Sequence, residues 1–99
     1  MKMKTGVQLI AAERKRQIEV EGFSARHDDA HTKEEIALAA AAYALPARVS
    51  ELVIWDATLD ERLWPWPGDF KPEVSRVRNL VKAGALIAAE IDRIQRITK

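Results

Sequence analysis

The run from Ile36 to Leu45, IALAAAAYAL, constrains this chain most, because it carries no charge and is largely alanine. Alanine is the best helix former and presents almost no bulk, so the run reads as a helix that neighbours can approach closely. Directly before it, HDDAHTKEE gathers two histidines and four carboxylates into nine residues. Thr32 followed by Glu35 has the spacing of a capping box, which places the helix start near Lys33. Pro46 ends the helix, because the residue before a proline is pushed out of the helical region. The acidic and imidazole groups are therefore expected at the mouth of a buried helix.

A length of 99 residues predicts one helical domain spanning 1–99. Alanine makes up much of the 47% hydrophobic fraction. At roughly 25 cal/mol per Å² of buried apolar area, alanine contributes little, so Leu, Ile, Val and Trp must carry the core. An interface between copies of the chain is expected to supply the rest, which makes a homo-oligomer the expected state. The net charge of +1 gives no bulk attraction to nucleic acid or to a membrane surface. Cations are not interleaved with aromatics in a stripe, so no direct nucleic-acid binding is expected. Without cysteine there is neither a disulfide nor a thiolate metal site, which fits a cytoplasmic location. Glu13 interrupts the first apolar run, so no secretory signal is expected, and no stretch is long enough to span a bilayer.

The expected fold is all-α, with three main helices, a short fourth, and a long Trp/Pro loop before the last helix. The first helix covers Thr5 to Glu21, with Val7, Ile10, Ala11 and Ile18 at helical spacing and Gly22 as its stop. Arg14 falls within that stripe. Either its stem packs and its head reaches water, or its charge faces a ligand phosphate or an internal carboxylate. Glu13 and Gln17 are four apart and share a face, while Lys15, Arg16, Glu19 and Glu21 read as solvated. Phe23 is expected to plug the core edge or line a pocket, and Ala25 to His31 reads as a polar loop. The short helix is placed within Ala47 to Asp60, on Val49, Leu52, Val53 and Trp55, with an extended VIW as the alternative.

Three prolines and a glycine in LWPWPGDFKP preclude regular structure there. Trp64 and Trp66 flank Pro65 and can either cover helix ends or form a wall for a stacked ring. The last helix is expected from about Pro72, with Glu73 near its positive end. Its apolar stripe is Val77, Leu80, Val81, Gly84, Ile87, Ala88, Ile91 and Ile94, and Ala83-Gly84-Ala85 marks a close crossing. No internal repeat or heptad seam stands out.

The chemistry-bearing candidates at the head of the alanine helix are His27, Asp28, Asp29, His31, Glu34 and Glu35. Imidazole with carboxylate suits zinc, manganese or iron, and carboxylates alone suit magnesium, so His27, Asp28, His31 and Glu35 are the candidate metal ligands. The same residues can instead be loop braces, or donors to a phosphate or base. Arg76, Arg78 and Lys82 can neutralise a small anion. Ser24, Ser50 and Ser75 lie in no activating motif, and there is no glycine-rich phosphate loop.

The pattern AAERKRQIEVEGF, HDDAHTKEEIALAAAAYAL, LWPW and RVRNLVKAGALIAAEIDRIQR resembles a family of small uncharacterised proteins from tailed phages and prophages, over nearly the whole chain. More distantly, both ends resemble the MazG-like all-α nucleotide pyrophosphohydrolases. That likeness implies a helical, oligomeric fold and a nucleotide ligand. Those enzymes hold magnesium with an EExxE motif and a later acidic pair. Glu34 and Glu35 match the first two positions, Leu38 replaces the third, and Arg78 and Asn79 stand in the region of the later pair. The resemblance thus implies a nucleotide site with an incomplete magnesium cage.

Three functions follow as expectations. The first is a phage-type protein that binds a nucleotide-like ligand through Arg14, Phe23, His27, Asp28, His31, Glu35, Trp64, Trp66 and Lys82, one use being sequestration of a host signalling nucleotide. The second is a nucleotide hydrolase with magnesium or another divalent ion on a rebuilt site. The third is a protein-binding inhibitor of a host factor, anchored by Trp55, Trp64 and Trp66.

Overall fold

Thr5 starts the first helix, α1 (Gly6–Glu19), by a complete capping box: its hydroxyl accepts from the Gln8 amide and its own amide donates to Gln8 Oε1. The computed structural model describes residues 3–46, 63–68 and 70–98. Among these the fold is all-α, with no strand and four helices: α1, α2 (Ala25–Asp29), α3 (Glu35–Ala44) and α4 (Arg76–Ile97). The short helix expected within 47–60, and Trp55 with it, lie outside the described residues. None of the described helices is long and apolar enough to cross a membrane.

The helix α2 occupies part of what the sequence reading leaves as a loop. Ser24 caps it, accepting from the His27 amide. The start of α3 also differs. Glu34 takes a left-handed conformation (φ 64°), so the helix begins at Glu35 rather than Lys33. Thr32 makes no capping box. The Glu35 carboxylate instead accepts from the Lys33 amide. At the other end, Arg76 donates to the carbonyls of Ala44 and Leu45, satisfying groups that the end of α3 leaves open. The last helix starts at Arg76, later than Pro72, because Ser75 caps it.

The core forms where α3 meets α4. Ile36, Ala39 and Ala40 pack on Leu86 and Ala89, with Phe23, Tyr43, Trp64 and Trp66 against their edge. Most buried apolar residues are alanines, which lets the two helices approach closely. The large aliphatics lie mainly elsewhere. Of the expected α4 stripe, Val81 is buried, whereas Val77, Leu80, Ile87, Ile91 and Ile94 are exposed. The expected α1 stripe is also corrected: Val7, Ala11 and Ile18 face outward, and the buried residues of α1 are Glu13 and Gln17. Ile10 of that stripe, half-buried, packs over Gly84. A Cβ built on Gly84 would stand 2.5 Å from Ile10 Cδ1, so α1 crosses α4 where only glycine leaves room.

Candidate functional site

Beyond α1, Gly22 adopts a positive φ (75°) and the Phe23 amide donates to the Gln17 carbonyl. This turn folds Phe23 back toward the core edge and leads into α2. From Phe23 onward the rings form a continuous file. Phe23 stacks on His27, with centroids 4.6 Å apart and planes 9° from parallel. His27 meets His31 edge-on at 4.8 Å, and His31 meets Trp66 at 5.6 Å. Trp66 stands perpendicular to Trp64 at 5.2 Å, and Trp64 continues to Tyr43 and Phe70. These are the offset and edge-to-face contacts that aromatic quadrupoles favour.

The carboxylates next to the histidines set their ring orientation. His27 Nδ1 lies 2.9 Å from Asp28 Oδ1, and His31 Nδ1 lies 3.0 Å from Glu35 Oε2. A carboxylate accepts only, so in both rings Nδ1 carries the proton. The bond from His31, aided by the Lys33 amide, holds the Glu35 carboxyl below the usual range. His27, in α2, and His31, just past its end, do come together. Asp28 and Glu35 do not join them in one cluster: each serves its own histidine. Among the described residues, no group of three or more His, Asp or Glu side chains is placed to hold a metal ion. The four candidate ligands form two hydrogen-bonded pairs, His27 with Asp28 and His31 with Glu35.

Two hollows share the Phe23 and Trp66 walls. The more open one, about 290 Å³, is bounded by Phe23, His27, His31, Trp66 and Pro67. The more enclosed one, about 240 Å³, lies between α1 and the tryptophans. Its aromatic wall is Phe23, Tyr43, Trp64 and Trp66, and Glu13, Arg16, Gln17 and Lys82 supply its polar side. Burial pushes the Tyr43 hydroxyl pKa up. Lys82 Nζ sits 2.6 Å from Glu73 and 5.5 Å from the Tyr43 ring centre. That bond and charge hold Glu73 below the usual carboxylate range.

Glu13 is the electrostatic centre of this cavity. It is 2% exposed, and it accepts from Arg16, from Arg78 of α4 at 2.7 Å, and from Gln17. Burial alone would raise its pKa, but the hydrogen bonds from Arg16 and Arg78, with their charges, outweigh that and hold it at about 2. Its bonds and those of Glu21 push the Arg16 pKa further up. Three buried polar atoms of residues that line the cavity have no hydrogen-bond partner among the described residues: Gln17 Oε1 and both indole nitrogens, Trp64 Nε1 and Trp66 Nε1.

The expected site residues therefore separate. Phe23, Trp64, Trp66 and Lys82 line the enclosed cavity, and His27 and His31 line the open one. Arg14 lines neither. It faces an internal carboxylate, Asp28 at 3.4 Å, with Asp92 at 3.8 Å. Asp28 is buried between Arg14 and His27. The sequence reading missed Glu13, Arg16 and Gln17 as site residues, and Arg16 and Glu21 are ion-paired to each other rather than merely solvated. One available signal was the stretch ERKRQ, five polar residues in the middle of α1. More than a full turn without an apolar side chain obliges a helix in a small domain to turn something polar inward.

The chain matches no protein-family model, no curated protein and no solved structure.

Proposed function

We propose that this chain binds a nucleotide-type small molecule, its ring in the enclosed cavity and its anionic part toward Arg16 and Lys82. The observation that carries this reading is an aromatic-walled cavity of about 240 Å³ whose lining residues also supply cations and buried polar atoms without a partner among the described residues. Stacking of a base on an aromatic side chain contributes about 1–3 kcal/mol. Each buried polar atom without a partner costs about 1–3 kcal/mol. A heteroaromatic ring with both donors and acceptors, seated after small rotations of Gln17 and the indoles, would relieve that cost. The likeness to nucleotide pyrophosphohydrolases points to the same ligand class, and sequestering a signalling nucleotide is one use of such a site. Arg16 and Lys82 already pair with glutamates, so an anion must share them and its binding will weaken with salt. Hydrolysis with a divalent ion on His27, Asp28, His31 and Glu35 has less support, because those side chains form two pairs rather than one cluster.

Calorimetry with a panel of linear and cyclic nucleotides tests the reading. Heat is expected with at least one of them, and Trp66→Ala should weaken that ligand about tenfold or more. No heat from any nucleotide at low salt would end it.

A further inference from the structure

We propose that His27 and His31 together hold one divalent metal ion of the zinc class, each through its Nε2 atom, at the open hollow. The chain has two histidines and no cysteine, so any imidazole or thiolate metal site must use these two side chains. The fold brings them together. Their ring centres are 4.8 Å apart, and both rings border the hollow with Phe23, Trp66 and Pro67. Two imidazoles that share an ion at about 2.0–2.1 Å, at right angles or tetrahedrally, have ring centres about 4.5–5.2 Å apart. The observed separation falls in that range.

The carboxylates decide which atoms can ligate. Asp28 Oδ1 faces His27 Nδ1, and Asp28 Oδ2 faces Arg14. Glu35 Oε2 faces His31 Nδ1, and Glu35 Oε1 accepts from the Lys33 amide. All four oxygens are engaged, so the carboxylates are outer partners and not ligands. With each Nδ1 proton directed at a carboxylate, Nε2 carries the free lone pair of each ring. This is the carboxylate–histidine pairing that fixes the tautomer of a metal-bound imidazole and raises its basicity. Neither Nε2 has a hydrogen-bond partner among the described residues, and neither is a buried atom lacking one, so both open to solvent. The rings are also held in place. His27 stacks on Phe23, within 9° of parallel, and His31 packs against Trp66. Asp28 is 1% exposed and tied to Arg14 of α1, which anchors the His27 ring from behind. The donors set the class of ion. Two imidazoles among apolar rings suit zinc, nickel or copper, whereas magnesium and calcium require oxygen ligands. Two protein ligands leave the other coordination positions to water, as in an open site.

Zinc alone, added to the full chain and followed in proton–nitrogen NMR spectra of the two imidazoles, tests the site without any nucleotide. Both Nε2 signals should move together and saturate at one ion per chain, while both Nδ1 protons stay in place. Magnesium at the same concentration should move neither signal. In calorimetry, Glu35→Gln keeps both ligands and should still weaken zinc by about 10–100-fold, because the ring loses its charged partner. His31→Ala should weaken zinc further. The nitrogen signals are read on the unaltered chain, so the test stands even where a variant fails to fold. A shift in one ring only, a shift at Nδ1 in place of Nε2, or no saturable shift at millimolar zinc would overturn the proposal. So would a folded Glu35→Gln chain that binds zinc as tightly as the wild type.

Discussion

The two faces by which α4 meets the rest of the chain are built on opposite physics. Toward α3 it is dry, with alanine against alanine around Ile36 and Leu86. Toward α1 it is ionic: Arg78 reaches Glu13, Asp92 reaches Arg14, and Ile10 closes over Gly84. Small side chains let backbones approach and leave no space. Beside the close crossing at Gly84, long charged side chains fill this side instead of small ones, and the enclosed cavity lies among them, beside Glu13 and Arg16. A candidate binding site arises where packing by small residues stops.

Substitutions can break this contrast. Ile36→Ala should have the largest effect, since Ile36 is 1% exposed and among the largest fully buried side chains. Its loss should lower unfolding free energy by about 2–5 kcal/mol in urea titrations, nearly equally at pH 7 and pH 3. Glu13→Gln should cost about 3 kcal/mol at pH 7, and its effect should depend on pH. The sign follows from a folded-state pKa held at about 2, below the unfolded value near 4.5. The carboxylate's contribution is complete above the unfolded value and is lost as pH falls toward about 2. The stability difference between wild type and Glu13→Gln should therefore shrink across that window. A constant difference would mean the ionic face is held by shape instead.

Gly84→Ala sharpens the comparison at the crossing itself. The added Cβ meets Ile10 Cγ1 as well as Cδ1, so the change should cost about 1 kcal/mol despite the better helix propensity of alanine. In an Ile10→Ala background the same change should instead stabilise by about 1 kcal/mol, because only the propensity gain remains. Smallest of all, Lys15→Ala should shift stability by less than about 0.5 kcal/mol. Its contact with Glu19 is an exposed pair at 3.9 Å, outside both faces.

Much of the fold was legible because its signals are local. Apolar residues at helical spacing before Gly22, and the alanine-rich run from Ala37 to Ala42 before Pro46, mark two of the helices without reference to anything distant. The start of α3 was harder to read, because the left-handed turn at Glu34 is chosen by contacts of Glu35 with His31 and the Lys33 amide. Which face of α1 turns inward was also hidden. Val7 and Ile18 outweigh Glu13 and Gln17 on any hydropathy scale, and one of the two arginines that pair the buried carboxylate, Arg78, lies 65 residues later in the chain. For the site, the aromatic half was visible in LWPWP and Phe23. The ionic half was not, since a paired arginine and a solvated one look alike in sequence.

The perpendicular contact of Trp64 and Trp66 also gives the chain an optical signature. Two indoles with centres 5.2 Å apart couple their excited states, and the coupling depends on the angle between their transition moments. Near-ultraviolet circular dichroism should therefore show a split band that changes shape whenever either ring turns, so the protein can report occupancy of its own cavity without a label.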